Sequence, residues 1–279
     1  MAETGTDHRH ASVPALLVAA SLLALAIAPP AAAEMTRHRT VFNVVFGALP
    51  VGKATFDIRF DDAAYELDGS GRTVGVVELF APGKGTVAST GRIVGDHIVA
   101  VSNTINYAEK KKRSTFRMEF DEGEVSSVSY EPDTRKNKNG PKWVPVTPDQ
   151  LRSVIDPASG LIIPVDRDRA NDPRAVCNRV LNVYDGDTRY DIALKYKATK
   201  TVSTDGYRGF AYVCQLRYVP VSGHRKKQRN VEYMSRNEDM EVWLAPMARS
   251  NLYTPIRIEV PTWVGRVSAV PAYFGAAAD

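Results

Sequence analysis

From Arg39 onward, hydrophobic and polar residues alternate in short runs broken by turn residues. That period of two belongs to half-buried β-strands, not to the 3.6-residue repeat of an amphipathic helix. The stretch TVFNVVFGALPVGKATFDIRFDDAAYELDGSGRTV, Thr40 to Val74, predicts three strands with GALPVG and DDAA as turns. Phe42, Val44 and Phe46 fall on one face of the first. Further strands are expected in GTVASTGRIVG, HIVAVSNTINYAEK, RSTFRMEFDEG and EVSSVSYEP, and later in VLNVYDG, TRYDIALKYK, GYRGFAYVCQLRYVP, MEVWLAP, YTPIRIEV and GRVSAV. VGVVELFAPG fits either a strand or a short apolar helix.

The alternation lapses at about residues 132–163. A basic, turn-rich loop, DTRKNKNGPKWVPVTPDQ, is followed by two helix starts, Thr147-Pro148-Asp149-Gln150 and Asp156-Pro157. Each places a capping side chain before a proline suited to the first helical position, and Gln150 completes a capping box with Thr147. The pattern therefore predicts a mainly all-β protein: an antiparallel β-spiral or incomplete β-barrel with one or two short helices near mid-chain. Curling limits unpaired sheet edges. No repeat of fixed period is visible, which argues against propellers and solenoids.

The N-terminus departs from this pattern. A polar start with Arg9 and His10 leads into VPALLVAASLLALAIA and then PPAAAE, where Ala31 and Ala33 form a small-residue cleavage signal. Residues 1–33 read as a cleaved signal peptide, leaving residues 34–279 as a single β-rich domain outside the cytoplasm, in the periplasm. Pro14, Pro29 and Pro30 break the apolar run short of a membrane span, so the processed chain is not expected to be an integral membrane protein. The net charge of +4 stays mildly positive without the leader. It is compatible with anionic envelope surfaces, whereas no stacking motif points to nucleic acid.

In an oxidising compartment the two cysteines, Cys177 and Cys214, are most simply a disulfide. Closing that loop would remove about 4 kcal/mol of unfolded-chain entropy. Cys177 precedes VLNVYDGDTRYD, where Asp185, Asp187 and Asp191 raise the question of calcium. The stretch lacks the spacing and terminal glutamate of an EF-hand loop, and Asp185-Gly186 between two strand-like runs is a hairpin signal. Asp166, Asp168 and Asp172 are interleaved with Arg167 and Arg169, which favours self-neutralised surface charge. Beyond the leader only His38, His97 and His224 remain, none in a metal motif, and there is no Gly-x-Ser-x-Gly elbow. No metal, cofactor or catalytic residue is assigned, and a non-enzymatic protein is expected.

Three basic clusters fall at predicted turns: Lys110, Lys111, Lys112 and Arg113; Arg135 to Lys142; and Arg225, Lys226 and Lys227 with Arg229. Exposed loop charge most simply aids solubility. Converging on one rim, the clusters would instead attract lipid phosphates or an acidic envelope polymer. Trp143, Trp243 and Trp263 read as packing residues. Leu79, Phe80, Trp143 and Trp263 become candidate ligand contacts if they face an apolar concavity.

VFNVVFGALPVGKATFDI, DPASGLIIPV, CNRVLNVYDGDTRYDIAL with AYVCQLRYVPVSGH, and EVWLAPMARSNLYTPIRIEV together resemble exported bacterial proteins of domain of unknown function 3108. The plan is more distantly similar to alphaproteobacterial envelope-integrity proteins, periplasmic β-spirals with a disulfide. The resemblance implies export and a β-rich fold, and brings no reaction. The expected role is envelope maintenance or scaffolding through an envelope lipid, glycan or protein partner. The rival readings are a carrier of a hydrophobic ligand and an unrecognised hydrolase.

Overall fold

A computed structural model describes residues 1–2, 35–133, 140–247 and 250–277. From position 3 onward the expected leader lies outside the described residues. Residues 34–279 form one compact unit.

The first half is a meander of hairpins, each strand pairing with the next. It runs through β1 (Thr36–Phe46), β2 (Leu49–Phe60), β3 (Ala64–Thr73), α1 (Val76–Phe80), β4 (Gly83–Val94), β5 (His97–Glu109), β6 (Lys112–Asp121) and β7 (Glu124–Glu131). After the central segment come β8 (Ile163–Pro164), α2 (Pro173–Cys177), β9 (Arg179–Tyr184), β10 (Arg189–Thr204) and β11 (Tyr207–Ser222). The chain finishes with α3 (Arg229–Arg236), β12 (Met240–Pro246), β13 (Leu252–Thr262) and β14 (Gly265–Ala276). The second meander joins the first where β14 pairs antiparallel with β1. The result is one open sheet with β7 and β9 at its edges, and β8 adds to β13 off the main path.

Several expected boundaries move. GALPVG tightens to a Gly47-Ala48 turn, because Leu49 to Gly52 continue as β2 against Val44 to Phe46. In DDAA, the Asp61 carboxylate accepts from the Ala63 and Ala64 amides, both at 2.8 Å, and stands in for the backbone turn. VGVVELFAPG contains a one-turn helix. The two helix starts yield single 3-10 turns, Pro148–Leu151 and Ser159–Leu161. In the first, Gln150 Oε1 accepts from the Thr147 amide at 3.2 Å as the capping box requires. The second ends after three residues and leads straight into β8. Helix α3 begins at Arg229, the last residue of the third basic cluster, and is not among the expected elements.

In an antiparallel sheet directly opposed residues share a face, so the registers divide the first meander into inner and outer rows. One inner row is His38, Ile58, Leu67, Ser89, Asn103 and Met118. Against this face packs the chain from Val154 to Val165, whose Val154, Ile162, Ile163 and Val165 are each 1% exposed. Ala158 and Ile162 join Ile58, Phe60, Tyr65 and Leu67. Val154 and Ile155 join Phe116, Met118 and Phe120 of β6 and Val183 and Tyr184 next to the β9–β10 turn. The curled sheet is thus filled by its own mid-chain segment, each fully buried aliphatic side chain contributing roughly 1.5–3 kcal/mol of transfer free energy. The same segment covers the β9 edge: the Ile155 amide donates to Asn182 at 2.9 Å, and the Tyr184 amide donates to Ile155 at 3.0 Å.

Candidate functional site

Towards the end of the sheet that carries α1, the inner face is not filled in this way. The row Thr40, Phe56, Gly69, Val87, Ile105 and Phe116 is followed by Phe42, Ala54, Gly71, Gly85, Tyr107 and Ser114, and then by Val44, Gly52, Thr73 and Gly83. Glycine at 69, 71, 83 and 85 removes the side chains that would level this surface. A groove of about 380 Å³ results, with Phe56, Val87, Ile105 and Tyr107 among its walls. Its size lies at the lower end of ligand pockets. Thr73 does not make it polar, since its hydroxyl oxygen accepts from the Gly83 amide at 2.9 Å.

The glycines differ in what they permit. A Cβ on Gly69 would meet Val87 Cγ1 at 2.6 Å and Phe56 Cδ1 at 2.8 Å, so this glycine admits the Phe56 ring. A Cβ on Gly71 would meet only the Lys53 carbonyl at 3.6 Å, an ordinary contact. Gly71 therefore leaves space that no neighbouring side chain takes.

Deeper in the sheet lies a sealed polar cluster. Asp156 is 0% exposed, as are Ser159 and Asn103. Asp156 Oδ1 accepts from Ser89 Oγ at 2.7 Å, Asn103 Nδ2 at 2.9 Å and the Ala158 and Ser159 amides at 2.9 and 3.0 Å. Its Oδ2 accepts from the Ser159 hydroxyl, which is 2.6 Å from the Tyr65 hydroxyl. Burial pushes the Asp156 carboxyl above the usual carboxylate range, against the opposite pull of the hydrogen bonds from Ser159, Ser89 and the backbone. Burial and the nearby Asp156 raise the Tyr65 phenol likewise. A serine next to an aspartate invites a catalytic reading, but neither group meets solvent or a histidine. The cluster anchors DPASGL to β3, β4 and β5.

Cys177, the last residue of α2, is bonded to Cys214 on β11, with the two Cα atoms 5.4 Å apart. Both are fully buried beside Val176, Leu194, Val242 and Tyr253. The bond ties β11 to the start of the β9–β10 hairpin. Cys177 itself lies on a helical turn, not on a strand. In the hairpin, Gly186 has φ +92°, and the Asp185 carboxylate accepts from the Asp187 and Thr188 amides at 3.0 and 2.6 Å. These atoms close the turn from within. Asp172 caps α2 through the Arg174 amide and pairs with Arg169 at 3.0 Å. Among the described residues no three His, Cys, Asp or Glu side chains are placed to hold a metal. No helix there is long and apolar enough to cross a membrane.

The proposed aromatic contacts do not line the groove. Phe80 stands 76% exposed on α1 and Trp263 69% exposed in the β13–β14 turn, beside a wider, charged depression against α3. The Leu79 side chain lies outside the described residues. Trp143 sits 5.9 Å from the Arg225 guanidinium in a cation–π contact. There the Val144 amide donates to His224 at 3.0 Å and the Lys226 amide to Lys142 at 2.9 Å, so the second and third basic clusters meet. Residues 135–139 of that second cluster are outside the described residues. Lys110 and Lys111 form the β5–β6 turn and Lys112 and Arg113 open β6, at the same end of the sheet as α1. Sequence reasoning missed the groove and the Asp156 cluster. The groove's signal was the spacing of two between Gly69 and Gly71 and between Gly83 and Gly85; the cluster had none, because Ser89 and Asn103 look like ordinary strand polar residues.

The sequence profile of the family described as "Protein of unknown function (DUF3108)" matches residues 41–270. No curated protein matches the chain. Among solved structures the fold is similar to a crystal structure of a beta-barrel-like protein of domain of unknown function DUF1849 from Brucella abortus. Its TM-score is 0.50 at 7% identity, covering 88% of this chain and 100% of that one. At that identity the likeness concerns the fold alone.

Proposed function

Because the chain belongs to the DUF3108 family of proteins of unknown function, we propose from its own geometry that it is a non-enzymatic envelope protein, exported to the periplasm, that holds one apolar chain of an envelope lipid in the glycine-lined groove. The observation carrying this reading is the empty volume over Gly71 between Phe56, Ile105 and Tyr107, on a face otherwise filled by residues 154–165. A protein needing only a stable scaffold would gain by filling that space, since each exposed apolar wall forgoes roughly 25 cal/mol per Å². The leader-like N-terminus and the Cys177–Cys214 bond support an oxidising compartment.

A fluorescent long-chain fatty acid tests it. The purified protein should enhance the probe's emission saturably, and Gly71→Leu, whose side chain would enter the groove, should weaken binding roughly tenfold or more while the melting temperature holds. Absence of saturable binding, or equal binding by Gly71→Leu, would overturn the reading.

A further inference from the structure

The two ends of the sheet differ in chemistry. At one end the hairpin turns carry acids: Asp61 and Asp62, Asp96, Glu122, and Asp205. At the other lie the Gly47-Ala48 turn followed by Leu49, the α1 connection, the Lys110-Lys111 turn and the Trp263-Val264 turn, together with one acidic turn on the β9 edge, Asp185-Gly186-Asp187, whose Asp185 carboxylate accepts from amides of its own turn. The exposed large aromatic side chains among the described residues, Phe80, Tyr107 and Trp263, all lie at this second end, with Leu49, Val76 and Val264 beside them. Other exposed valines, such as Val94 and Val180, are scattered singly elsewhere.

The outer face shows the same asymmetry. Near the acidic end its charges neutralise one another, Arg39 with Asp57 at 2.6 Å and Arg59 with Glu66 and Asp68 at 2.7 and 3.0 Å. Near the apolar end, one cross-strand row reads Lys53, Arg72, Lys84, Ala108, Arg113. Four cations stand in that row, and among the described residues none is ion-paired. Like charges directly opposed across strands are destabilising, so folding alone does not account for them. An anionic partner does.

We propose that this end of the sheet docks on an anionic phospholipid surface, with Phe80, Trp263, Leu49 and Val264 entering the interfacial layer and the Lys53–Arg72–Lys84–Arg113 row facing lipid phosphates. Apolar tips rimmed by cations are what such a surface recognises: tryptophan and phenylalanine partition into the boundary between headgroup and acyl chain, and each Lys or Arg near an anionic leaflet adds roughly fivefold in affinity. An acidic polysaccharide would engage the cations and leave Phe80 and Trp263 in water. The proposal rests on the rim alone and holds whether or not the groove binds a chain.

The test is co-sedimentation of the purified protein with vesicles of phosphatidylcholine containing phosphatidylglycerol. Arg72→Ala with Lys84→Ala should weaken binding by roughly an order of magnitude, as should Phe80→Ser with Trp263→Ser. Rising salt should weaken the wild type and affect the Arg72/Lys84 variant less. Brominated phosphatidylglycerol reports the geometry directly: it should quench tryptophan emission in the wild type and lose most of that quenching in Trp263→Phe. Quenching unchanged by Trp263→Phe, equal binding to pure phosphatidylcholine, or binding to an acidic polysaccharide but not to vesicles would each overturn the proposal. A fatty-acid probe that binds normally to the Phe80/Trp263 variant separates failure here from failure of the groove.

Discussion

Asp156 Oδ1 accepts the Ser89 hydroxyl at 2.7 Å across 67 positions of sequence, and through this contact the mid-chain segment is held to the sheet. Asp156→Ala leaves the Ser89, Asn103 and Ser159 donors buried without their acceptor. The expected loss is about 3–5 kcal/mol. Asp156→Asn keeps one acceptor oxygen and should cost less. Urea unfolding monitored by tryptophan emission ranks the two, and equal, small losses would refute a role for this cluster as anchor.

The Cys177–Cys214 bond spans 37 positions. Cys214→Ser should lower stability by about 2–5 kcal/mol, and reductant should lower the wild-type melting temperature towards the variant's while leaving the variant's unchanged. Calorimetry with and without dithiothreitol checks both arms.

His38 is 2% exposed, its ring 4.4 Å from Phe274 and its Nε2 3.2 Å from Thr40 Oγ1. Burial lowers its pKa to about 4, with Asp57 pulling the other way. Between pH 6.5 and 4 the unfolded chain therefore binds a proton that the native ring refuses, and stability falls as pH falls through that window. The contribution is about 3 kcal/mol in full. Asp156, raised by burial, slopes oppositely, since its native form binds the extra proton and gains stability in acid. Comparing wild type with His38→Gln across pH 7 to 4 isolates the histidine: the variant should lack this component.

Gly91 faces Tyr65 across the β3–β4 pair, and a Cβ there would lie 2.5 Å from both the Tyr65 hydroxyl and the Val99 carbonyl. Gly91→Ala should cost roughly 1–3 kcal/mol by overpacking and displace Tyr65 from Ser159. Adding Tyr65→Phe should recover part of that cost, because the hydroxyl in the way is gone; a double variant no better than Gly91→Ala would refute the steric account.

Legibility followed the range of the forces involved. Strand identity is written locally in alternation such as FRMEF and KATFDIRF, and the Asp185-Gly186 hairpin depends only on conformations that its own residues tolerate. The β-spiral plan follows from those local facts. Gly71 and Gly85 are paired directly across β3 and β4, but the groove needs four strands, β2 to β5, in register before Phe56, Ile105 and Tyr107 wall the space beside them, and the Asp156 cluster draws Ser89, Asn103 and Asp156 from separate parts of the chain. Thr147 and Asp156 did carry helix-start signals, yet each produced one 3-10 turn. Burial of Ile162 and Ile163 against the sheet draws the backbone into extended form at once, and tertiary packing overrides the propensity.

The junction between the two meanders sets an order of events as the chain is made. Every other neighbouring pair along the main sheet is linked within a hairpin or a short excursion, so those pairs form as they emerge. β1 receives its second neighbour only when Val267 to Ala276 arrive to pair with Phe46 to His38. Until then a long edge containing VFNVVF presents unmet amides and carbonyls, a template for pairing with other chains. A chain stalled or cut before Gly265 would thus be more than incomplete; it would be adhesive. Such long-range closure is slow and aggregation-exposed, so residues 36–46 are the stretch whose exposure lasts longest, until the last strand is released.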